Sequence, residues 1–157
     1  MHPRLRWTFL MMAVTGLTVG VAQAEPVAIA GESIPARWYK PAYVDAGKSL
    51  FAANCASCHG AGAEGAVNWR QPDAEGRFPP PPLNGSGHGW HHPLAALYQT
   101  IMAGSPDGSG RMPAWQGKLS QAEVLAIIAW FQSHWPDEIY AAWHRTNEAS
   151  KREGRTP

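Results

Sequence analysis

A chain of 157 residues holds one compact domain with room for a targeting segment and tails, and is too short for two ordinary cores. Its 13 basic and 12 acidic residues nearly balance, and none of them form the basic stripe that a phosphate backbone demands, so no nucleic acid partner is expected. The only two cysteines, Cys55 and Cys58, lie three apart.

Residues 1–24 carry Arg4 and Arg6, then an apolar run through Leu10, Met11, Met12, Val14 and Leu17, then Ala22-Gln23-Ala24. That order is the pattern of a secretory signal cleaved after Ala24. The competing reading is an uncleaved anchor helix, since the run approaches the length needed to cross a bilayer. Its glycines and threonines and the Ala-x-Ala site favour cleavage, so the mature protein is expected in the periplasm or outside the cell. Losing Arg4 and Arg6 leaves 11 basic against 12 acidic residues, a net charge of −1.

Residues 25–42 contain Pro26, Pro35 and Pro41 and show little hydrophobic period, which predicts an extended lead-in. The core domain is expected over 43–135. A first helix over about Tyr43 to Ala53 places Val44, Gly47 and Phe51 on one stripe and leads into the cysteine pair. Residues 61–87, including Pro79-Pro80-Pro81-Pro82, are too rich in Gly and Pro for regular structure. Pro93, then Leu94, Leu97, Tyr98 and Ile101, with Gly104 as the stop, predict a short second helix. Ser105 to Gly117 reads as loop. Ser120 and Glu123 form a capping-box pattern for a third helix carrying Val124, Ile127, Ile128 and Phe131 on one face. Pro136 ends it. Over 136–157, Asp137 is expected to cap a last short helix with Ile139, Tyr140 and Trp143 packing back, followed from Arg145 by a polar, mobile tail. The fold class is therefore all-α, three to four short helices with long loops. So much irregular chain suits a large apolar cofactor at the centre better than a core of protein alone.

Cys55-Ala56-Ser57-Cys58-His59 is the C-x-x-C-H pattern of c-type haem attachment. At a helix end, residues three apart face one side, so two sulfurs can meet the two vinyl groups on one porphyrin edge while the next residue brings an imidazole to the iron. A disulfide between the cysteines is permitted in an oxidising compartment. A thioredoxin-like pair would open a helix after a strand, and no β-α-β pattern surrounds this one. A zinc site would need a second cysteine pair or a suitably spaced histidine pair.

Two stretches then resemble the class I cytochromes c. YVDAGKSLFAANCASCHG, residues 43–60, resembles their first helix and haem motif, and SGRMPAWQGKLSQAEVLAIIAWFQSHW, residues 109–135, resembles their axial-methionine loop and C-terminal helix. The resemblance implies a cytochrome c-like fold wrapped around one haem c, a haem b-type macrocycle held through thioethers to Cys55 and Cys58. It implies iron ligated by His59 and Met112. It implies that Pro81 or Pro82 offers a backbone carbonyl to the His59 ring, that Leu83 and Trp115 line the haem pocket, and that Gly47 and Phe51 cross the last helix near Ile127 and Trp130. The only other mature thioether, Met102, ends the second helix, where core packing is the expected role. The insert over 62–78 is longer than short cytochromes carry, which leaves the proline assignment open by a residue or two.

His88, His91 and His92 cluster within five residues and could bind copper or zinc, although no carboxylate or thiol ligand is near; surface placement, with His92 capping the second helix, is the plainer reading. Trp69, Trp90 and Trp143 are candidates for a docking surface. Arg70, Arg77 and Arg111 are candidates to pair with propionates, against solvated surface charge. The expected function is a one-electron carrier, not an enzyme, exchanging electrons with a redox donor and acceptor and associating transiently with a membrane respiratory complex. The alternatives are a haem-bearing subunit or small haem enzyme of a respiratory or oxidase complex, or a metal- or gas-responsive module using His88, His91 and His92.

Overall fold

The computed structural model describes residues 34–154. The expected leader at 1–24 and the start of the lead-in lie outside the described residues. Among the described residues there is no strand, and five α-helices and one 3-10 turn follow in order: α1 Pro41–Asn54, α2 Ala56–His59, the turn Gly89–His91, α3 Leu94–Ala103, α4 Gln121–Ser133 and α5 Asp137–Arg152. None is long and apolar enough to cross a membrane.

Pro41 opens α1 because its fixed φ suits the first turn and it has no N–H to leave unpaired. The helix buries Gly47 and Phe51, one turn apart, against α4. A side chain at Gly47 is impossible without movement, since a Cβ there would lie 2.0 Å from the Ala126 carbonyl oxygen. That close approach of two backbones brings Phe51 onto Trp130, ring centroids 4.2 Å apart, with Ile127 buried beside them.

α4 begins with the predicted capping box. The Ser120 hydroxyl accepts from the Glu123 amide at 3.3 Å, and the Glu123 carboxylate accepts from the Ser120 amide at 2.8 Å. The sequence suggested one apolar face. In fact every residue from Ala126 to Gln132 is buried, with α1 and α3 packed against the helix and the lead-in bonded to its C-terminal end. Arg37 donates to the carbonyls of Gln132 and Trp135 and to the Asp137 carboxylate, and Trp38 Nε1 donates to Gln132 Oε1 at 2.6 Å.

The last helix corrects four expectations. Asp137 does not cap it; Asp137 is the first helical residue after Pro136 and pairs with Arg37 at 2.8 Å. Nor does a mobile tail begin at Arg145, since α5 runs for 16 residues from Asp137 through Arg152. Its buried stripe is Tyr140, Trp143, Asn147 and Ser150. The helical period continues through polar residues, which hides it from a search for apolar ones. Asn147 Oδ1 accepts from the Leu94 amide at 2.9 Å and so caps α3, whose preceding residue, Pro93, supplies no side-chain cap. His92 therefore does not cap α3, as it was expected to. Trp143 is fully buried and donates from Nε1 to the His92 carbonyl at 3.0 Å, so it belongs to the core and to no docking surface.

Candidate haem site

α1 carries the cysteine pair to its end and breaks there. Cys55 leaves helical geometry at ψ −32 and φ −123, while its amide still donates to the Phe51 carbonyl at 2.8 Å. The Cys55 carbonyl then accepts from the amides of Cys58 at 3.1 Å and His59 at 2.9 Å, which winds the single turn of α2. Gly60, at φ 80, ends that turn. Cys55 and Cys58 are free thiols, so the short loop between them is not closed by a disulfide. Cys58 is exposed and Cys55 half-buried. Burial, and next the neighbouring Cys58, push the Cys55 thiol up to about 11.

His59 is buried, 8% exposed, and its Nδ1 lies 2.9 Å from the Pro81 carbonyl oxygen. A carbonyl only accepts, so Nδ1 carries the proton and Nε2 keeps its lone pair. Burial lowers the pKa of the ring and the Pro81 contact opposes that shift, which leaves a neutral imidazole with one nitrogen available as a ligand. Of the two prolines considered, Pro81 makes this bond. The Pro82 carbonyl is turned toward Gly87, where a Cβ would lie 2.2 Å from it.

The loop holding Pro81 is fixed by residues that no sequence pattern singled out. The Gly65 amide donates to the His59 carbonyl at 2.7 Å, and Ala66 donates to the Pro80 carbonyl at 2.9 Å. Gly65 has φ +66, and a Cβ on it would lie 2.4 Å from Pro82 N and 2.5 Å from Pro81 C. Ala63 is fully buried at φ 60, a left-handed conformation that costs a non-glycine residue about 1–2 kcal/mol. Its carbonyl accepts from both Leu83 and Asn84 amides, and Trp135 Nε1 donates to the Leu83 carbonyl at 2.7 Å. Leu83 is thereby held on both sides. Glycine enrichment pointed to a loop here, but nothing local distinguished Gly65 from its neighbours.

Met112 and Trp115 are half-buried and pack against the same hydrophobic cluster as Leu83, Met102 and Cys55. The Met112 carbonyl accepts from Ser105 at 3.0 Å, and the Trp115 amide is shared between the carbonyls of Ile101 and Met102. Gly104, at φ +69, lets this backbone pass, since a Cβ there would lie 2.5 Å from the Met112 oxygen. The end of α3 thus holds both sides of the Met112 turn.

The remaining candidates separate. Arg77 and Arg111 both pair with Asp73, and Arg70 stacks on Trp69 at 4.2 Å, so each guanidinium has a protein partner. His91 stacks on Trp90 with centroids 3.6 Å apart, and His88 on Trp69 at 5.4 Å. Among the described residues no three His, Cys, Asp or Glu side chains converge as a metal site, which removes the geometric basis for a three-histidine centre.

Two free thiols three apart, a neutral imidazole presenting one unprotonated nitrogen, and a thioether on a nearby loop form a donor set that fits covalent haem. An all-helical chain with this motif at the end of its first helix is a class I c-type cytochrome. Residues 42–131 match the family described as cytochrome C oxidase, cbb3-type, subunit III, and the chain belongs to that family. Its cofactor is haem c with iron, covalently bound, and Cys55 and Cys58 stand in the attachment motif.

The chain is 32% identical over 94 residues to the cbb3-type cytochrome c oxidase subunit FixP of Bradyrhizobium sp. (strain ORS 278), covering 55% of this chain and 29% of that protein. It is 35% identical over 92 residues to FixP of Azorhizobium caulinodans, covering 55% and 28%. It is 29% identical over 85 residues to cytochrome c6 of Picosynechococcus sp. (strain ATCC 27264 / PCC 7002 / PR-6), covering 54% and 68%. The matched segment spans under a third of the FixP proteins. No solved structure matches the chain significantly.

Proposed function

We propose that this protein is a periplasmic one-electron carrier with His59 and Met112 as the two axial ligands of the iron. The observation that carries the reading is the 2.9 Å contact between His59 Nδ1 and the Pro81 carbonyl, which orients a buried neutral imidazole by its far nitrogen. When bound, haem supplies a reversible Fe(III)/Fe(II) couple that needs no substrate at the metal. The chain's part is to hold geometry. Pro81 fixes the His59 ring, Ser105 and Gly104 fix the Met112 backbone, and Leu83 and Trp115 exclude water from the pocket. A six-coordinate site held in this way leaves no position for catalysis. Exposed Cys58 marks the edge through which electrons would pass to weakly docking partners.

The optical spectrum of the haem-loaded protein tests this. The oxidised form should show the far-red thioether-to-iron charge-transfer band, and the reduced form should bind carbon monoxide poorly. Met112→Ala should abolish the band and open the iron to carbon monoxide, whereas Met102→Ala should retain it. A wild-type protein without the band would exclude His/Met ligation.

Kinship with proteins named as cbb3-type oxidase subunits supports a second reading, that the electrons pass to a respiratory oxidase with which the domain associates. Co-purification of the haem-loaded protein with a haem–copper oxidase from membranes, and stimulated oxygen uptake on its addition, would support that route. Neither effect would be seen if it serves another acceptor.

A further inference from the structure

We infer that Asp73, in the insert over 62–78, is a positioning residue that clasps the Met112 loop through Arg111. This rests on the reading of Met112 as an axial ligand.

Asp73 is the centre of a small polar network. Its Oδ1 accepts from the amides of Glu75 at 3.0 Å and Arg77 at 2.9 Å, so the carboxylate closes its own turn. Its Oδ2 faces outward and takes Arg77 Nε at 3.3 Å and Arg111 Nη2 at 2.9 Å. Glu75 supports both guanidiniums, pairing with Arg77 and lying 3.6 Å from Arg111. Arg111 immediately precedes Met112. A second tie is independent of charge, because the Phe78 amide donates to the Ser109 carbonyl at 2.8 Å.

The other end of the insert reaches the opposite ligand. Gly65 donates to the His59 carbonyl and packs on the Pro81–Pro82 peptide, and Ala66 donates to the Pro80 carbonyl. One insert therefore bridges the loop that orients His59 and the loop that presents Met112. Without it, the turn from 105 to 113 would be held from the α3 side alone, by Ser105, Gly104 and Trp115. An isolated surface ion pair would hold a loop poorly. Here the carboxylate is immobilised by two backbone amides before it meets Arg111, so the ordering cost of the pair falls on the arginine alone.

A ligand that must displace Met112 measures how firmly the loop is held. Imidazole binding to the oxidised, haem-loaded protein should be roughly two- to fivefold tighter in D73N and in R111Q than in wild type. D73N keeps an acceptor for the Glu75 and Arg77 amides and removes only the charge offered to the arginines. The double variant should be no worse than either single one, since both remove the same contact. The far-red band should remain at room temperature in every variant and fade at a lower temperature than in wild type. Equal imidazole affinity and equal fading temperature in R111Q and wild type would overturn the clasp while leaving His/Met ligation intact. A wild-type protein lacking the band would overturn both. Should D73N fail to take up haem, R111Q alone decides, because Arg111 makes no backbone bond in the insert.

Discussion

The amide of Leu94 donates to Oδ1 of Asn147 across 53 residues of sequence, so the first turn of one helix is completed by the buried side chain of another. Proline precedes Leu94 and offers no side-chain acceptor of its own, which leaves Asn147 as the cap. Replacing Asn147 by Ala should cost about 1–2 kcal/mol, the worth of a helix cap and a half-buried amide left without its partner. N147D should not recover that loss, since it keeps the acceptor but places a charge at a position only 6% exposed. Denaturant midpoints of the haem-loaded protein check this, and equal midpoints for wild type and N147A would remove the cap.

Gly65 has no room for a methyl group against the Pro81–Pro82 peptide. Gly65→Ala should therefore push the Pro81 carbonyl away from His59 and destabilise the protein by about 1–3 kcal/mol. With His59 as ligand, a weakened bond to Pro81 makes the imidazole a poorer donor and raises the reduction potential. Potentiometric titration of G65A against wild type reads that shift. An unchanged potential in a folded variant would mean that Gly65 serves packing alone.

Asp73 contributes to the acid pH dependence, beside Asp107, Glu123 and Glu148, whose carboxyls are also held below their ordinary values by hydrogen bonds. Its pKa falls from 3.8 to about 2, first through the hydrogen bond from the Arg77 amide and then through Arg111 and Arg77. A carboxyl with a depressed folded-state pKa stabilises the fold above its unfolded value and loses that contribution as pH falls. The contribution should be intact above about 4 and fade between there and about 2. Acid titration of the unfolding midpoint should show a step in that window that D73N flattens. A step of equal size in D73N would assign it to other carboxylates.

These three positions also mark where sequence reasoning stops. The attachment motif, the capping box at Ser120 and Glu123 and the stripe of Gly47 and Phe51 all depend on neighbours within one or two helical turns, and local spacing exposes them. The partnership of His59 with Pro81 came from family resemblance, because 22 residues of irregular chain separate them. Asn147 and Ser150 were missed for a different reason. They continue the buried face of α5 with polar atoms, and an apolar period cannot register burial that a hydrogen bond makes affordable. Asp73 and Arg111 are 38 residues apart, and no local spacing links them; they meet only because the insert folds against the Met112 loop.

The distances spanned along the chain also set an order of assembly. Gly47 waits for Ala126, Arg37 for Gln132, and Leu94 for Asn147. Each contact joins an early segment to one made much later, so loop-closure entropy delays the closed state until most of the polypeptide is present. Cys55 and Cys58 precede α4 and α5 in the chain, so they stay on open chain for as long as those contacts are unmade.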